Sequence, residues 1–210
     1  MTEPFDIRER HLLCDLFLEL GPDVPTLCEG WTAFDLATHL VVRERSLRGA
    51  PGILLGDKVR GLAKATEDAQ EREKAKGFPA VVGLVRAGPP LVTKPLSRFI
   101  NLNEFVIHHE DLRRANGRGP RTGVDDLQDA LWALYRHSAR MTPGRPKGFG
   151  MELKRPNGDT ITVGKAPSAT ITGEPIEIGL YLFGRRTASE ATLSGDPAAV
   201  AAFSGADLGM

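Results

Sequence analysis

The 210-residue sequence has two cysteines, Cys14 and Cys28, no excess of either charge, and no long apolar run. Each scarcity removes a class of protein. Two cysteines are too few for a disulfide scaffold, and their spacing fits no compact zinc motif, so both are expected as small buried hydrophobes in a reduced protein. Lys plus Arg and Asp plus Glu both count 27, a net charge of zero. Without a basic surplus to hold a polyanion, nucleic acid and acidic membrane are not expected partners. No stretch approaches the roughly 18 apolar residues that a membrane span needs. The charged start "MTEPFDIRERHLL" lacks the apolar core of a signal peptide, so the expected location is cytoplasmic. "GAPGILLG" and "GRGPRTG" lack the lysine and setting of a phosphate loop, and no serine-centred nucleophile elbow is present.

What is present is organised in two halves. "FDIRERHLLCDLFLEL" carries Ile7, Leu12, Leu13, Phe17 and Leu20 as a helical apolar stripe, stopped by "GPDVP". Thr32 is a candidate N-cap for a second amphipathic helix, "AFDLATHLVVRERSLR". "GAPGILLGDK" reads as a break, and the charge-rich "KVRGLAKATEDAQEREKAKG" as a solvated helix or an excursion that could serve as a contact surface. "FPAVVGLVRAG" gives a short helix ended by Gly88 and Pro89. "PLSRFINLNEFVIHHEDLRRANG" gives a long one closed by basic residues and Gly117, and "GVDDLQDALWALYRHSARM" one more. The composition shifts at "TPGRPKG". Beyond it, "FGMELKRPNGDTITVG" reads as a hairpin turning at Asn157-Gly158, "SATITG" and "SEATLSG" as strands, and "EPIEIGLYLFGRR" and "DPAAVAAF" as helices, the last with Asp196 as N-cap. The expectation is an α+β two-domain chain: a helical bundle over residues 1–142 and a small α+β domain over 143–210.

The chemistry concentrates in "NEFVIHHEDLRRA". On a helix, Glu104 and His108 are four residues apart and share a face, with Cβ atoms about 5–6 Å apart, so a carboxylate oxygen and an imidazole nitrogen can converge on one ion. His109 points about 100° away, given 3.6 residues per turn, so the two adjacent histidines cannot both join that face without distortion. Asp111 can join the face or orient His108, and Glu110 points elsewhere, toward solvent. Such a Glu–His pair is also common on helix surfaces. The third candidate is His39, set among Leu36, Leu40 and Val42 on a helix expected to be buried; a histidine there can equally be a hydrogen-bonded core residue. A buried histidine on one helix and a Glu–His pair on another are what a bundle uses to build a metal site in its core.

These blocks carry a resemblance. "CEGWTAFDLATHL" resembles the segment opening the second helix in the maleylpyruvate-isomerase-like branch of the DinB-like four-helix-bundle proteins. "NEFVIHHEDLRRA" resembles that branch's Glu-x-x-x-His-His-x-Asp-Leu helix, and is closer still to an uncharacterised actinobacterial subfamily described only as metal-binding. "TITGEPIEIGLYLFGRR" is similar to the Gly-Arg-terminated helix of the small sterol-carrier-protein-like α/β domain that the isomerase appends. The preponderance of arginine over lysine, 19 to 8, fits an actinobacterial source.

The resemblance implies a DinB-like four-helix bundle followed by a sterol-carrier-protein-like domain, with His39, Glu104 and His108 as metal ligands. Zinc is the usual occupant, and Ni2+, Fe2+ or Mn2+ also suit such a set. It further implies use of mycothiol, a low-molecular-weight thiol, to attack a small electrophilic metabolite in an isomerisation or thiol transfer. Arg185, with Arg186 as the neighbouring alternative, matches an arginine that the isomerase's second domain supplies. A helix C-terminal cation is the plain alternative for Arg185. The rival from another class is a metal-binding protein without catalysis, structural or regulatory. A third reading gives the C-terminal domain a small apolar ligand, in a domain short for a lipid tunnel.

Five further residues are weighed less heavily. His11 is expected at the surface. His137 can face the bundle interior. Asp35 can orient His39 or be a solvated charge. Trp31 and Trp132 are expected in the core.

Overall fold

The computed structural model describes residues 3–45, 60–90, 94–138, 146 and 148–206. The chain forms two compact units, Met1–Pro120 and Arg121–Met210. All of "GAPGILLGDK" and most of "TPGRPKG" lie outside the described residues.

The first unit is helical. Its elements are α1 (Phe5–Leu20), α2 (Ala33–Arg45), α3 (Arg60–Lys74), α4 (Phe78–Ala87) and α5 (Lys94–Ala115). Helix α1 packs against α4 and α5, and α2 against α3 and α4. The core they enclose holds Leu13 and Phe17 of α1, Leu36 and Leu40 of α2, Val81 and Val85 of α4, and Phe105 and Leu112 of α5. Phe78 receives Phe17 and Phe34 edge-on, at centroid distances of 6.1 and 5.4 Å. Helix α2 starts in a reciprocal cap. Thr32 Oγ1 accepts from Asp35 N at 3.3 Å, and Asp35 Oδ2 accepts from Thr32 N at 2.9 Å, which satisfies two backbone donors that a helix start leaves open. Asp35 also pairs with Lys74 of α3. It is therefore a capping carboxylate, and not an orienter of His39. The charge-rich segment is helix α3 from residue 60, touching the core through Ala69.

Two readings of α1 and α5 need correction. Leu12, expected in the apolar stripe, is 44% exposed, and the buried face of α1 runs instead through Glu9, Arg10, Leu13, Cys14, Leu16 and Phe17. Two charged residues inside blur the helical period, because both have partners on distant elements. Arg10 forks onto Glu44, gives Nη1 to Val85 O at 2.7 Å, and stacks 4.1 Å above the Phe105 ring. Glu110 of α5 is fully buried and does not meet solvent: Arg113 and Arg114, three and four residues on, close over it.

The second unit begins with α6 (Asp125–Ser138), so the helix read as the last of the bundle groups with the sheet. There follow β1 (Gly150–Lys154), β2 (Thr160–Val163), β3 (Pro167–Thr172), α7 (Pro175–Leu182), a 3-10 turn at Arg186–Ala188, β4 (Thr192–Gly195) and α8 (Pro197–Gly205). The sheet order is β2-β1-β3-β4; β1 pairs antiparallel with β2 and parallel with β3, and β3 pairs antiparallel with β4. The hairpin, the two later strands and both helices fall where the alternation and turn residues put them. Gly195 is required as glycine: at φ +134° a Cβ would sit 2.3 Å from Ser168 O. Helix α7 is buried along its whole length, and α6 tethers its start through Gln128 Oε1, which accepts from Ile176 N at 2.9 Å. Asp196 stands at the start of α8 but makes no side-chain cap. No described helix is long and apolar enough to cross a membrane.

Candidate metal centre

Helix α5 carries the centre, and a loop and α2 complete it. The α1–α2 loop is fastened to α5 by its backbone: Leu27 N donates to Asp111 O at 3.2 Å, and Pro25 O accepts from Asn116 Nδ2 at 3.0 Å. Thr26 Oγ1 turns the loop by accepting from Cys28 N at 3.2 Å and donating to Trp31 O at 3.1 Å. This places Cys28 against α5 and Trp31 against α2. The Trp31 ring lies 5.1 Å from that of His39, whose ring meets His108 at 5.5 Å and 71°.

His108 stands at the middle, with a carboxylate on each ring nitrogen. Its Nε2 is 3.1 Å from Glu104 Oε2, and its Nδ1 is 2.9 Å from Asp111 Oδ2. Two groups of potential ligand atoms result. In one, His39, Glu104 and His108 each offer an atom within 4.8 Å of the others; in the second, Cys28, His108 and Asp111 do the same. The second group is buried throughout, whereas the Glu104 side chain of the first is 28% exposed.

The electrostatics suit a cation. Burial alone would raise the Glu104 carboxyl, but the hydrogen bond and charge of His108, then the charges of Arg43 and His39, outweigh it and hold the group down at about 2. Burial works against charge on His108 as well. Hydrogen bonds with Asp111, Cys28 and Glu104, and the Glu104 charge, overcome it and push the imidazole well above its ordinary value. Both shifts favour the charged pair of Nε2 and Glu104 Oε2, and carboxylate and imidazole are the donors that borderline divalent cations accept. The donor set fits the group that the resemblance implies. Arg43 Nε reaches Glu104 Oε1 at 3.4 Å, and its Nη1 donates to Asn101 Oδ1 at 3.2 Å, which ties the Glu104 carboxylate to a wider buried network.

The other candidates lie elsewhere. His109 turns to α1, with Nδ1 3.0 Å from Glu9 Oε2. His11 is at the surface beside Glu3, and the His137 ring, exposed on α6, bonds Ala133 O of its own helix at 3.0 Å. Arg185, in the second unit, is buried and donates from Nη1 to Phe183 O at 2.6 Å. Arg186 stacks 5.6 Å from the Tyr181 ring and donates to Ser204 O and Ala206 O. Sequence reasoning missed Cys28, whose Sγ donates to Asp111 Oδ2 at 3.4 Å and is therefore more than packing. The turn after Pro25 was the one local signal that the loop doubles back.

No family model matches the chain, and no curated protein does. Two solved structures match over 93% of this chain and 97% of theirs. One is of the mycothiol-dependent maleylpyruvate isomerase, at TM-score 0.53 and 14% identity. The other is of a histidine-to-alanine mutant of that enzyme, at TM-score 0.52 and 16% identity. The fold is maleylpyruvate-isomerase-like. At this identity the likeness is one of architecture: a mostly helical N-terminal part followed by a mixed four-stranded sheet with helices, as in maleylpyruvate isomerase.

Proposed function

We propose that the chain is a metal-dependent enzyme of the DinB-like, maleylpyruvate-isomerase-like type, akin to its actinobacterial metal-binding branch. In this reading it isomerises, or transfers a thiol to, a small electrophilic metabolite. The observation that carries the reading is the convergence of His39, Glu104 and His108 within 4.8 Å, with the Glu104 side chain partly exposed. A divalent ion, zinc first and Ni2+, Fe2+ or Mn2+ next, held by three protein ligands keeps a coordination position free and lowers the proton affinity of a thiol placed there.

The chain's own groups divide the remaining work. Asp111 accepts the Nδ1 proton of His108 and so presents Nε2 to the centre. Trp31 packs on the His39 ring and helps hold its orientation. The set brings one carboxylate against two positive charges of the ion, and the Arg43 guanidinium stands beside it, so the thiolate form of a bound thiol such as mycothiol is favoured over the neutral thiol. Arg185, which the resemblance matches to an arginine of the isomerase's second domain, is assigned a carboxylate of the substrate, a group that its planar fork suits.

Metal analysis of the purified protein, with thiol-transfer and isomerisation assays, tests the proposal. His108→Ala should abolish metal binding and turnover together, and Glu104→Gln should weaken zinc and abolish turnover. Arg185→Lys should retain metal and lose turnover. Protein that binds one zinc and supports no thiol chemistry is the non-catalytic metal-binding protein of the rival reading.

A further inference from the structure

We infer that His108 serves a second, soft-metal site through its other ring nitrogen, made with Cys28 Sγ and Asp111, and exclusive of a cation on the His39–Glu104 face. The inference extends the proposed function, since the two sites share an imidazole, but rests on different ligands. Cys28, His108 and Asp111 bring a sulfur, a nitrogen and an oxygen within 4.8 Å of one another, all buried. The pairwise spacings, 3.4 Å for sulfur to carboxylate and 2.9 Å for nitrogen to carboxylate, are those of hydrogen bonds and need to open only slightly around an ion. All three residues are tied to one support: Leu27 N holds the loop on Asp111 O, and His108 and Asp111 lie one turn apart on α5.

The choice of ion follows from the donors. A thiolate is a soft ligand and prefers Cd2+ or Cu+, and accepts Zn2+, over Mg2+ or Ca2+. Thiolate and Asp111 carboxylate together neutralise a divalent cation, which a buried set requires. The His39–Glu104 set contributes one negative charge, is open, and has Arg43 alongside. The Cys28–Asp111 set suits an ion held in isolation, the His39–Glu104 set an ion that takes an exogenous anion.

The imidazole enforces the exclusion. Neutral histidine has one lone pair and one N–H. A cation on Nε2 leaves the proton on Nδ1, directed at Asp111. A cation on Nδ1 leaves it on Nε2, directed at Glu104, 3.1 Å away. The two carboxylates exchange the roles of ligand and orienter as the metal changes face. On cadmium binding the S–Cd bond forms as the Cys28 S–H proton leaves to buffer, and no electron is transferred.

Cadmium titration of the full chain tests this. The expected result is one equivalent bound, a thiolate-to-cadmium charge-transfer band in the ultraviolet, and loss of that band on saturation with zinc. Cys28→Ser, which keeps a donor to Asp111, should lose the band and keep zinc binding. Glu104→Gln should weaken zinc, leaving it only the Cys28 face, and keep the band. Cys14→Ser serves as control, because that thiol lies deep in the core against Val82 O, where burial pushes it up to about 12. X-ray absorption at cadmium in the unaltered protein should show one sulfur neighbour, and needs no variant to fold. A shell of nitrogen and oxygen alone, or a band that survives Cys28→Ser, overturns the inference and leaves the His39–Glu104 site untouched. Zinc binding indifferent to Glu104→Gln, with sulfur on cadmium, overturns the proposed function instead.

Discussion

Two adjacent imidazoles on α5, His108 and His109, are equally buried and equally close to a carboxylate, yet they stand in different chemistry. His108 Nε2 lies 3.1 Å from Glu104 and His109 Nδ1 lies 3.0 Å from Glu9. Around His108, the His39 and Glu104 atoms and the Cys28 and Asp111 atoms converge; around His109, among the described residues, no third potential ligand completes a group. Glu9 is 1% exposed and Glu104 28%. A buried histidine–carboxylate pair by itself therefore says little about a site. The number of converging donors and an opening to solvent separate a candidate centre from an interhelical clamp.

Single alanine substitutions should split the pair most widely. His108→Ala removes a ligand common to both groups and should abolish zinc binding, read by metal content after dialysis. His109→Ala should leave metal stoichiometry at the unaltered value. It breaks the buried pair with Glu9 of α1, which costs about 3–5 kcal/mol, read as a fall in the denaturant midpoint. Loss of metal in both variants would erase the distinction.

How much of this the sequence discloses follows from the reach of each contact. Glu104 and His108 are four residues apart, and helical geometry fixes their common face before any tertiary contact forms. His39 is legible by its apolar neighbours, and the hairpin by alternation and Asn157-Gly158. What stays hidden depends on chain return. Cys28 meets Asp111 across 83 residues, and Glu9 meets His109 across 100. No local period encodes such pairings, so Cys28 reads as a small hydrophobe. The charges of Glu9, Arg10 and Glu110 likewise read as solvated until the partners that neutralise them are known. The grouping of α6 with the sheet has the same origin, in the bond from Ile176 N to Gln128 across 48 residues.

A finer cut tests how His108 is held. Asp111→Asn keeps shape and removes charge, and loss of such an orienting carboxylate weakens metal by about 10–100-fold. Isothermal titration with zinc reads it directly. An unchanged affinity would mean that Asp111 only fills space beside the ring.

Acidity gives a smaller but signed effect. His108 is raised above its ordinary value in the folded protein, so its contribution to stability is full below the unfolded imidazole value and fades as pH rises through the folded one. Glu104, already ionised above about 2, adds no change near neutrality. Metal must displace the His108 proton, so its apparent affinity should rise by about tenfold per pH unit until the folded value is passed. Zinc should thus stabilise the protein more at pH 8 than at pH 6, while the metal-free form loses stability over the same interval. Thermal melts with and without zinc at the two pH values check both signs, and parallel pH trends would mean that zinc displaces no proton from His108.

The smallest effect should come from replacing the His109 clamp with matter of the same bulk. A buried ion pair exchanged for well-packed apolar side chains is often neutral, because the desolvation that opposed the pair disappears along with its attraction. Glu9→Met with His109→Phe should therefore restore most of what His109→Ala loses, to within about 1.5 kcal/mol of the unaltered protein, with zinc still bound one to one. The same exchange at Glu104 and His108 should bind nothing, and should cost stability besides, because it takes His108 from buried Asp111 and Glu104 from Arg43. That contrast is the sharpest form of the comparison: a clamp between helices can be made from any complementary pair, whereas a cation requires those donor atoms. If the apolar pair between α1 and α5 abolishes metal while the protein stays folded, then His109 and Glu9 belong to the centre, and the line drawn between the two imidazoles is in the wrong place.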